Sequence, residues 1–352
     1  MQVDYLIIGQ GICGTMLSWF LYKEGKSFLV IDNGDEQSAS KIAAGIINPV
    51  TGRRYAYTWM IEELMDFALD AYKELGNYFE SKYIFEKSII DFFPSPQMRN
   101  AFIERLSEND TYLHSYPDQN HFNQYFNYDF GCGQVKPAFI VHVQVLMSEW
   151  RKKLIESNSL LSENFEMVEL KFNDDEISYG DISAGKIIFC DGVSSMQHLF
   201  FNLLPFAPNK GEALILECED LNNQHIFKKG LMLAPLPDKD LYWLGSNYQW
   251  EFANDQPSET FYNHATAVLN GWLKKPYRIV AHKAAVRPAT LERRPFVGFH
   301  PRYRNVGILN GMGTKGTSLA PFFAHQLTQH LVYNLPISPE ADIQRFSRIL
   351  SK

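Results

Sequence analysis

The chain opens with a short apolar run, Tyr5–Ile8, rich in β-branched residues and stopped by a glycine, which predicts a buried strand. From Ile12 to Lys23 the apolar positions recur at helical spacing, and Gly25 closes the segment. Phe28–Ile31 is a second short apolar run, ended by Asp32. Residues 33–57 lose this periodicity and read as a loop turned by Pro49 and Gly52. Helical spacing returns over Trp59–Tyr78, and alternation over Tyr83–Phe93 predicts a strand ended by Pro94 and Pro96.

Residues 107–133 are polar, aromatic and irregular, and read as an excursion from the main body. The spacing then predicts a helix over Pro137–Glu156. Phe165–Phe172 and Glu176–Tyr179 predict a hairpin around Asp174-Asp175. Lys186–Phe189 predicts a buried strand that leads through Cys190-Asp191-Gly192 to a helix starting near Ser194. Gly211–Cys218, Gly230–Ala234 and Leu241–Ser246 predict strands of a mainly antiparallel sheet, and Pro257–Leu273 a helix. Tyr277–Arg287 reads as a long strand with Lys283, Ala285 and Arg287 on one face and His282, Ala284 and Val286 on the other. Phe296–Gly298 and Val306–Leu309 are short strands, and Asn310–Gly316 is a glycine-rich loop before an apolar helix to about Tyr333 and a short terminal helix. Helix-rich α/β material at both ends thus brackets β-rich material. The pattern predicts one domain assembled from residues 1–78, 134–206 and 286–352, and a second built from 79–133 and 207–285 and inserted into it.

Composition narrows the function classes. At 352 residues the chain can bury a large core. A net charge of −7 argues against nucleic acid as the main partner. Asp4 interrupts the N-terminus before any long apolar run, and no stretch reaches the ~18–20 apolar residues of a membrane span. Cys13, Cys132, Cys190 and Cys218 form no C-x-x-C pair and read as reduced cytosolic thiols, so a cytoplasmic location is expected. The histidines show no ligand spacing, and no metal is expected.

The candidate chemistry begins at Gly9, Gly11 and Gly14, which stand in G-x-G-x-x-G spacing between the first strand and the first helix. Gly9 suits the tight turn, Gly11 a close approach to a pyrophosphate, and Gly14 close packing of helix on strand. The free N–H groups and partial positive charge at the helix start face the anion. Asp32, 18 residues after Gly14, can accept from a ribose hydroxyl. This unit alone fits FAD and NAD equally. Ser38, Ser40, Ala43, Ala44 and Gly45 are small enough to let backbone run beside a bulky flat ligand, with Arg53 and Arg54 next to them.

Taken together, GQGICG with Asp32, SASKIAAGIINP, IIFCDGVSS, VRPATLERRPFVG and the closing NGMGTKGTSLAP resemble the D-amino-acid-oxidase-like (DAO) family of FAD-dependent oxidoreductases, which includes glycine and sarcosine oxidases. The resemblance implies an α/β fold: a Rossmann-like FAD-binding domain with an inserted mixed, mainly antiparallel β-sheet substrate domain. It implies that Gly9, Gly11, Gly14, Asp32 and Asn33 hold the ADP half of FAD and that Ser38, Ala44 and Gly45 run along the flavin. Asp191 and Gly192 match a second nucleotide contact. Gly311, Gly313, Thr314, Lys315, Gly316 and Thr317 lead into a helix whose start, in that family, points at the flavin pyrimidine edge. Arg287 matches the family arginine that pairs with a substrate carboxylate, the other reading being a strand-end ion pair, for instance with Glu292. Lys283 and Lys315 are further candidates for the site.

The implied reaction is oxidation of the C–N bond of a carboxylate-bearing amine, by hydride transfer to flavin N5 and hydrolysis of the imine, with O2 or another electron acceptor. The flavin-tethering cysteine of sarcosine oxidases has no counterpart here, which implies non-covalent FAD. Where glycine oxidases carry His and Tyr, this chain has Gly230, Leu231 and Met232, which argues against glycine as substrate. The closing GMGTKG resembles more closely the FAD domain of the tRNA wobble-uridine modification enzyme, which oxidises a carboxymethylaminomethyl group. Arg53, Arg54, Lys228, Lys229, Arg293 and Arg294 would then form a basic rim for tRNA. A flavin-binding partner or sensor without turnover is a third reading. Tyr55, Tyr248 and Trp250 are aromatic candidates for a pocket wall, and core packing explains each equally well.

Overall fold

The computed structural model describes residues 1–108, 111–172 and 176–351. It divides into two compact units, one of Met1–Lys41, Val143–Asn209 and Val286–Lys352, the other of Ile42–His142 and Lys210–Ala285. The chain crosses between them after residues 41, 142, 209 and 285, where the sequence pattern suggests 78, 133, 206 and 285.

The first unit is built on a largely parallel sheet. Its strand order is Leu170–Phe172, Ile177–Tyr179, Ile182–Phe189, Gln2–Ile8, Phe28–Ile31 and Leu160–Leu161. Ile182–Phe189 is shared along its length. Its first half pairs antiparallel with Ile177–Tyr179, and its second half pairs parallel with Val306–Asn310. Phe296–Phe299 lies antiparallel on the far side of Val306–Asn310. Continuous apolar runs suit strands covered on both faces, and Leu6, Ile187, Phe189 and Ile308 are at 0% exposure. The helix Ile12–Lys23 is buried from Ile12 to Leu21, and burial of side chains such as Met16 and Leu17 contributes about 1.5–3 kcal/mol each. It packs on the helix Gly316–Tyr333, and Trp150 of the helix Val143–Glu156 donates to its Ser18 Oγ at 2.8 Å. The expected turn at Asp174-Asp175 lies outside the described residues, but the strands on either side pair antiparallel.

The second unit is a curled, mainly antiparallel sheet. Its order is Arg278–Arg287, Asn209–Glu217, Leu241–Gly245, Leu231–Pro235, His225–Lys229, Ile84–Phe92, Cys132–Val141 and Ile46–Ile47. His225–Lys229 and Ile84–Phe92 form a parallel pair within it. Phe92, Phe122, Phe126, Phe227 and Trp272 fill its core in edge and tilted contacts.

Three local expectations are corrected. Pro137 does not start a helix: Cys132–Val141 is a strand, and the helix begins at Val143. The register shifts between Lys87 and Ile89, opposite Lys136–Pro137, so the residue that lacks an N–H sits at a bulge. The expected helix near Ser194 is a single 3₁₀ turn, Gly192–Met196. The loop after Asp32 contains a short helix, Ala39–Ile42, whose Ser40 turns out to matter for the site.

Candidate functional site

In the first unit the strand Gln2–Ile8 delivers Gly9 into a turn at φ +93°, and the helix starts at Ile12. A side chain at Gly14 would begin 1.9 Å from the Gly9 carbonyl, and one at Gly9 would strike the backbone of Cys190 and Asp191 at 2.8–2.9 Å. Gly11 faces open space except for Ser40 Oγ at 3.2 Å. That oxygen accepts from the Ile12 N–H at 3.0 Å, so Ser40 stands at the donor-rich helix start. Ser38 Oγ is buried with no hydrogen-bond partner. Turn, helix start and hydroxyls form a cradle for a phosphate group.

Asp32 ends the second strand and is already held. Its Oδ2 accepts from Gln10 N at 2.7 Å and its Oδ1 from Gly34 N at 2.8 Å. Arg151, on the helix Val143–Glu156, reaches it from the side. Its Nη1 donates to Asp32 Oδ1 at 2.6 Å and to Gln10 Oε1 at 2.9 Å, and its Nη2 to the Asp32 carbonyl at 2.9 Å. Three of the carboxylate's roughly four acceptor positions are filled, which leaves one on Oδ2. The sequence gives no sign of Arg151, because it lies on a separate helix with ordinary amphipathic spacing. Asn33 is exposed beside this network and donates to Asn164 Oδ1 at 2.7 Å.

Two glycine turns meet at Asn310. Its Nδ2 donates to the Gly192 carbonyl at 2.8 Å and to Ser195 Oγ at 2.9 Å, and its Oδ1 accepts from Gly311 N at 2.7 Å. Ser195 donates in turn to Asp191 Oδ1. Burial pushes the Asp191 carboxyl up to about 7, and burial pushes the neighbouring His198, 3.2 Å away, down to about 4. At neutral pH His198 is therefore uncharged. Asn310 and Ser195 were not expected from sequence, although a polar residue closing the apolar run Val306–Asn310 was the available signal.

The closing loop runs from Gly311 at φ +78° through Gly313, whose N–H donates to the Pro288 carbonyl at 3.2 Å. Thr314 is exposed and Thr317 is buried. Gly316 opens the helix Gly316–Tyr333, and a side chain there would begin 3.3 Å from Ile12 Cγ2. Two helix N-termini, each with a partial charge of about +0.5, therefore lie side by side. Lys315 sits at the second of them, and burial together with Arg293 and Arg294 brings its ammonium down to about 8.

Arg287 ends its strand inside the first unit, where Nη1 donates to Oδ1 of buried Asn209 at 2.8 Å. Glu292 accepts from Arg345 at 3.2 Å. Three other expected residues lie in the second unit. Ala44 packs against Ala213, Ile215 and Trp243. Gly45 lies so close to Val141 that any side chain would meet its carbonyl at 1.9 Å. Lys283 is exposed. Tyr55 is core, its hydroxyl donating to buried Asp91 at 3.0 Å, whereas Tyr248 and Trp250 are each 58% exposed. Among the described residues there is no cluster that could hold a metal ion, and no helix is long and apolar enough to cross a membrane.

Comparison with solved structures supports the same fold. The chain is similar to iminodiacetate oxidase from Chelativorans sp. BNC1, with a TM-score of 0.79 and 19% identity over 98% of each chain. It is similar to glycine oxidase from Geobacillus kaustophilus, at 0.78 and 15% over 98% of each. It is similar to L-proline dehydrogenase from P. horikoshii, at 0.73 and 13% over 99% of this chain and 98% of that one. The glycine turn with its hydroxyls, the Asp32 carboxylate and the paired helix starts suit FAD. Residues 4–330 match the family model described as FAD dependent oxidoreductase, and the protein belongs to that DAO family of FAD-dependent enzymes.

Proposed function

We propose that the protein oxidises the carbon–nitrogen bond of a small amine or amino acid that carries a carboxylate. The observation that carries the reading is Arg287, partly buried at a strand end and held by Asn209 in the unit that contains the phosphate cradle. A planar guanidinium fixed in this way binds a carboxylate through paired charge-assisted hydrogen bonds, worth about 1.5–3 kcal/mol. Lys315, at the start of the helix Gly316–Tyr333, adds a second cation in the same unit. The similar proteins are named for iminodiacetate, glycine and L-proline, each an amine with a carboxylate one carbon away. FAD supplies the two-electron acceptor when bound. The role left to this chain is positioning: Arg287 fixes the carboxylate, and the two helix starts stabilise negative charge.

The test is anaerobic mixing of the FAD-loaded enzyme with glycine, N-methylglycine, iminodiacetate, L-proline, other amino acids and carboxylate-free amines. Bleaching of the flavin by carboxylate-bearing amines alone is expected. No bleaching by any of them, or equal bleaching by carboxylate-free amines, overturns the reading. A tRNA-linked substrate has less support, since Lys228 is paired with Asp91 at 2.7 Å, Lys229 donates to the Asn127 carbonyl and Arg294 lies 3.5 Å from Glu340.

A further inference from the structure

A second cleft in the first unit has a chemistry that flavin binding does not use. It encloses about 430 Å³ and is lined by Lys186, Phe299, His300, Arg304, His330 and Gln344 among others, with no carboxylate in its wall. We propose that this cleft binds a small multivalent anion carrying phosphoryl or carboxylate groups.

The site is built from rigid parts. Phe299 is one of its lining residues. The ring lies across Gly307 on the paired strand, where a side chain would begin 2.9 Å from the ring. Lys186, from the central strand Ile182–Phe189, places its ammonium 5.4 Å from the Phe299 ring centre. The His330 ring stands 6.0 Å from Phe299 at 32°. His330 Nδ1 donates to the Leu335 carbonyl at 2.9 Å, which fixes the ring, and Nε2 of the neutral ring is then an acceptor that adds no donor to the cleft.

The loop that carries Arg304 is wound around His300. His300 Nδ1 accepts from the N–H groups of Arg302 and Tyr303 at 3.1 and 3.2 Å, so the neutral ring carries its proton on Nε2 as a donor. The His300 N–H donates to the Val306 carbonyl, and the Val306 N–H to that of Tyr303, which closes the loop at its base. Arg304 is thus presented by a pre-organised turn, so little ordering is lost on binding.

The charge count favours an anion. Among the described residues neither Lys186 nor Arg304 takes part in an ion pair. Asp342, on the same terminal segment as Gln344, accepts from the Gln344 N–H and is not among the residues that line the cleft. The C-terminal end of the helix Gly316–Tyr333 contributes a partial negative charge of about 0.5, less than the two full cations. Ammonium, guanidinium and imidazole N–H together match the donor set that phosphate and carboxylate oxygens require.

The experiment is calorimetric titration of the FAD-loaded enzyme at low ionic strength. Bound FAD fills the phosphate cradle of Gly9–Gly14, and variants at Lys186 and Arg304 separate binding in the cleft from binding at Arg287 and Lys315. The probes are inorganic pyrophosphate and citrate, with chloride as control. One of the multivalent probes is expected to bind saturably with a Kd below about 1 mM, more weakly as salt is added. Lys186→Gln and Arg304→Gln are each expected to weaken it at least about tenfold, with flavin content and melting temperature unchanged. Preference for pyrophosphate or for citrate identifies the group recognised. Absence of saturable binding overturns the proposal, as does binding that both variants retain.

Discussion

Arg287 and Asn209 are joined by a 2.8 Å hydrogen bond at the ends of neighbouring strands, and Asn209 is only 2% exposed. The guanidinium is therefore oriented before any ligand arrives. Arg287→Ala is expected to retain FAD and to lower kcat/KM for carboxylate-bearing amines about 10- to 150-fold, the equivalent of 1.5–3 kcal/mol. Asn209→Ala leaves the cation but frees its orientation, so a smaller loss, seen mainly in KM, is expected. Steady-state kinetics on flavin-matched samples checks both. Loss of flavin in Arg287→Ala would place the residue in cofactor binding instead.

Arg151 fixes Asp32 from a helix that follows it by more than a hundred residues. Arg151→Ala is expected to raise the Kd for FAD about tenfold or more, with kcat at saturating FAD unchanged. ADP should lose affinity in parallel and riboflavin should not, the outcome expected where Asp32 holds the adenosine ribose. Arg151→Lys should recover only part, since one ammonium cannot bridge both carboxylate and carbonyl. Quenching of flavin fluorescence measures each case.

Gly14→Ala tests the close approach of helix to strand. Its Cβ would lie 1.9 Å from the Gly9 carbonyl, a backbone atom that can move only with the whole turn. A loss of about 1–3 kcal/mol is expected in urea unfolding, together with flavin-free protein on purification.

Lys315 is held down to about 8 by burial and by Arg293 and Arg294. Below that pH it is a cation, and above it the charge is lost. Affinity for a carboxylate substrate is therefore expected to be flat below about pH 8 and to fall as pH rises through it. Lys315→Met should bind more weakly throughout and lack the inflection. A KM profile across the range decides, and an inflection that survives in Lys315→Met assigns it to another group.

Much of the fold was legible because its determinants are local. Gly9, Gly11, Gly14 and Asp32 sit within one strand–helix–strand unit, and the helix Ile12–Lys23 and the strand Phe28–Ile31 form where the spacing places them. The helix expected from Pro137 was misread because a bulge partner, Ser88, lies far away in sequence. The short strand His225–Lys229 was missed for a different reason: it forms a tight hairpin with Leu231–Pro235 about Gly230, but it holds only two apolar residues, Ile226 and Phe227, too few to show a period. In the site, Arg151 and Asn310 act across long sequence separations, and no local pattern marks them. Ala44 and Gly45 show the opposite case, since packing within the second unit explains both small residues.

The sharing of Ile182–Phe189 between two partners has a consequence for how the protein is made. The half of that strand nearest the phosphate turn is completed by Val306–Asn310, which leaves the ribosome over a hundred residues later. Asn310 then supplies the bonds that tie Gly192 and Ser195 to Gly311. Until this last segment arrives, a growing chain has the Gly9–Gly14 turn and Asp32 but lacks the Asn310 bonds and the start of the helix Gly316–Tyr333. Flavin capture is therefore expected to come late in synthesis, and a chain cut short before residue 310 is expected to purify without flavin.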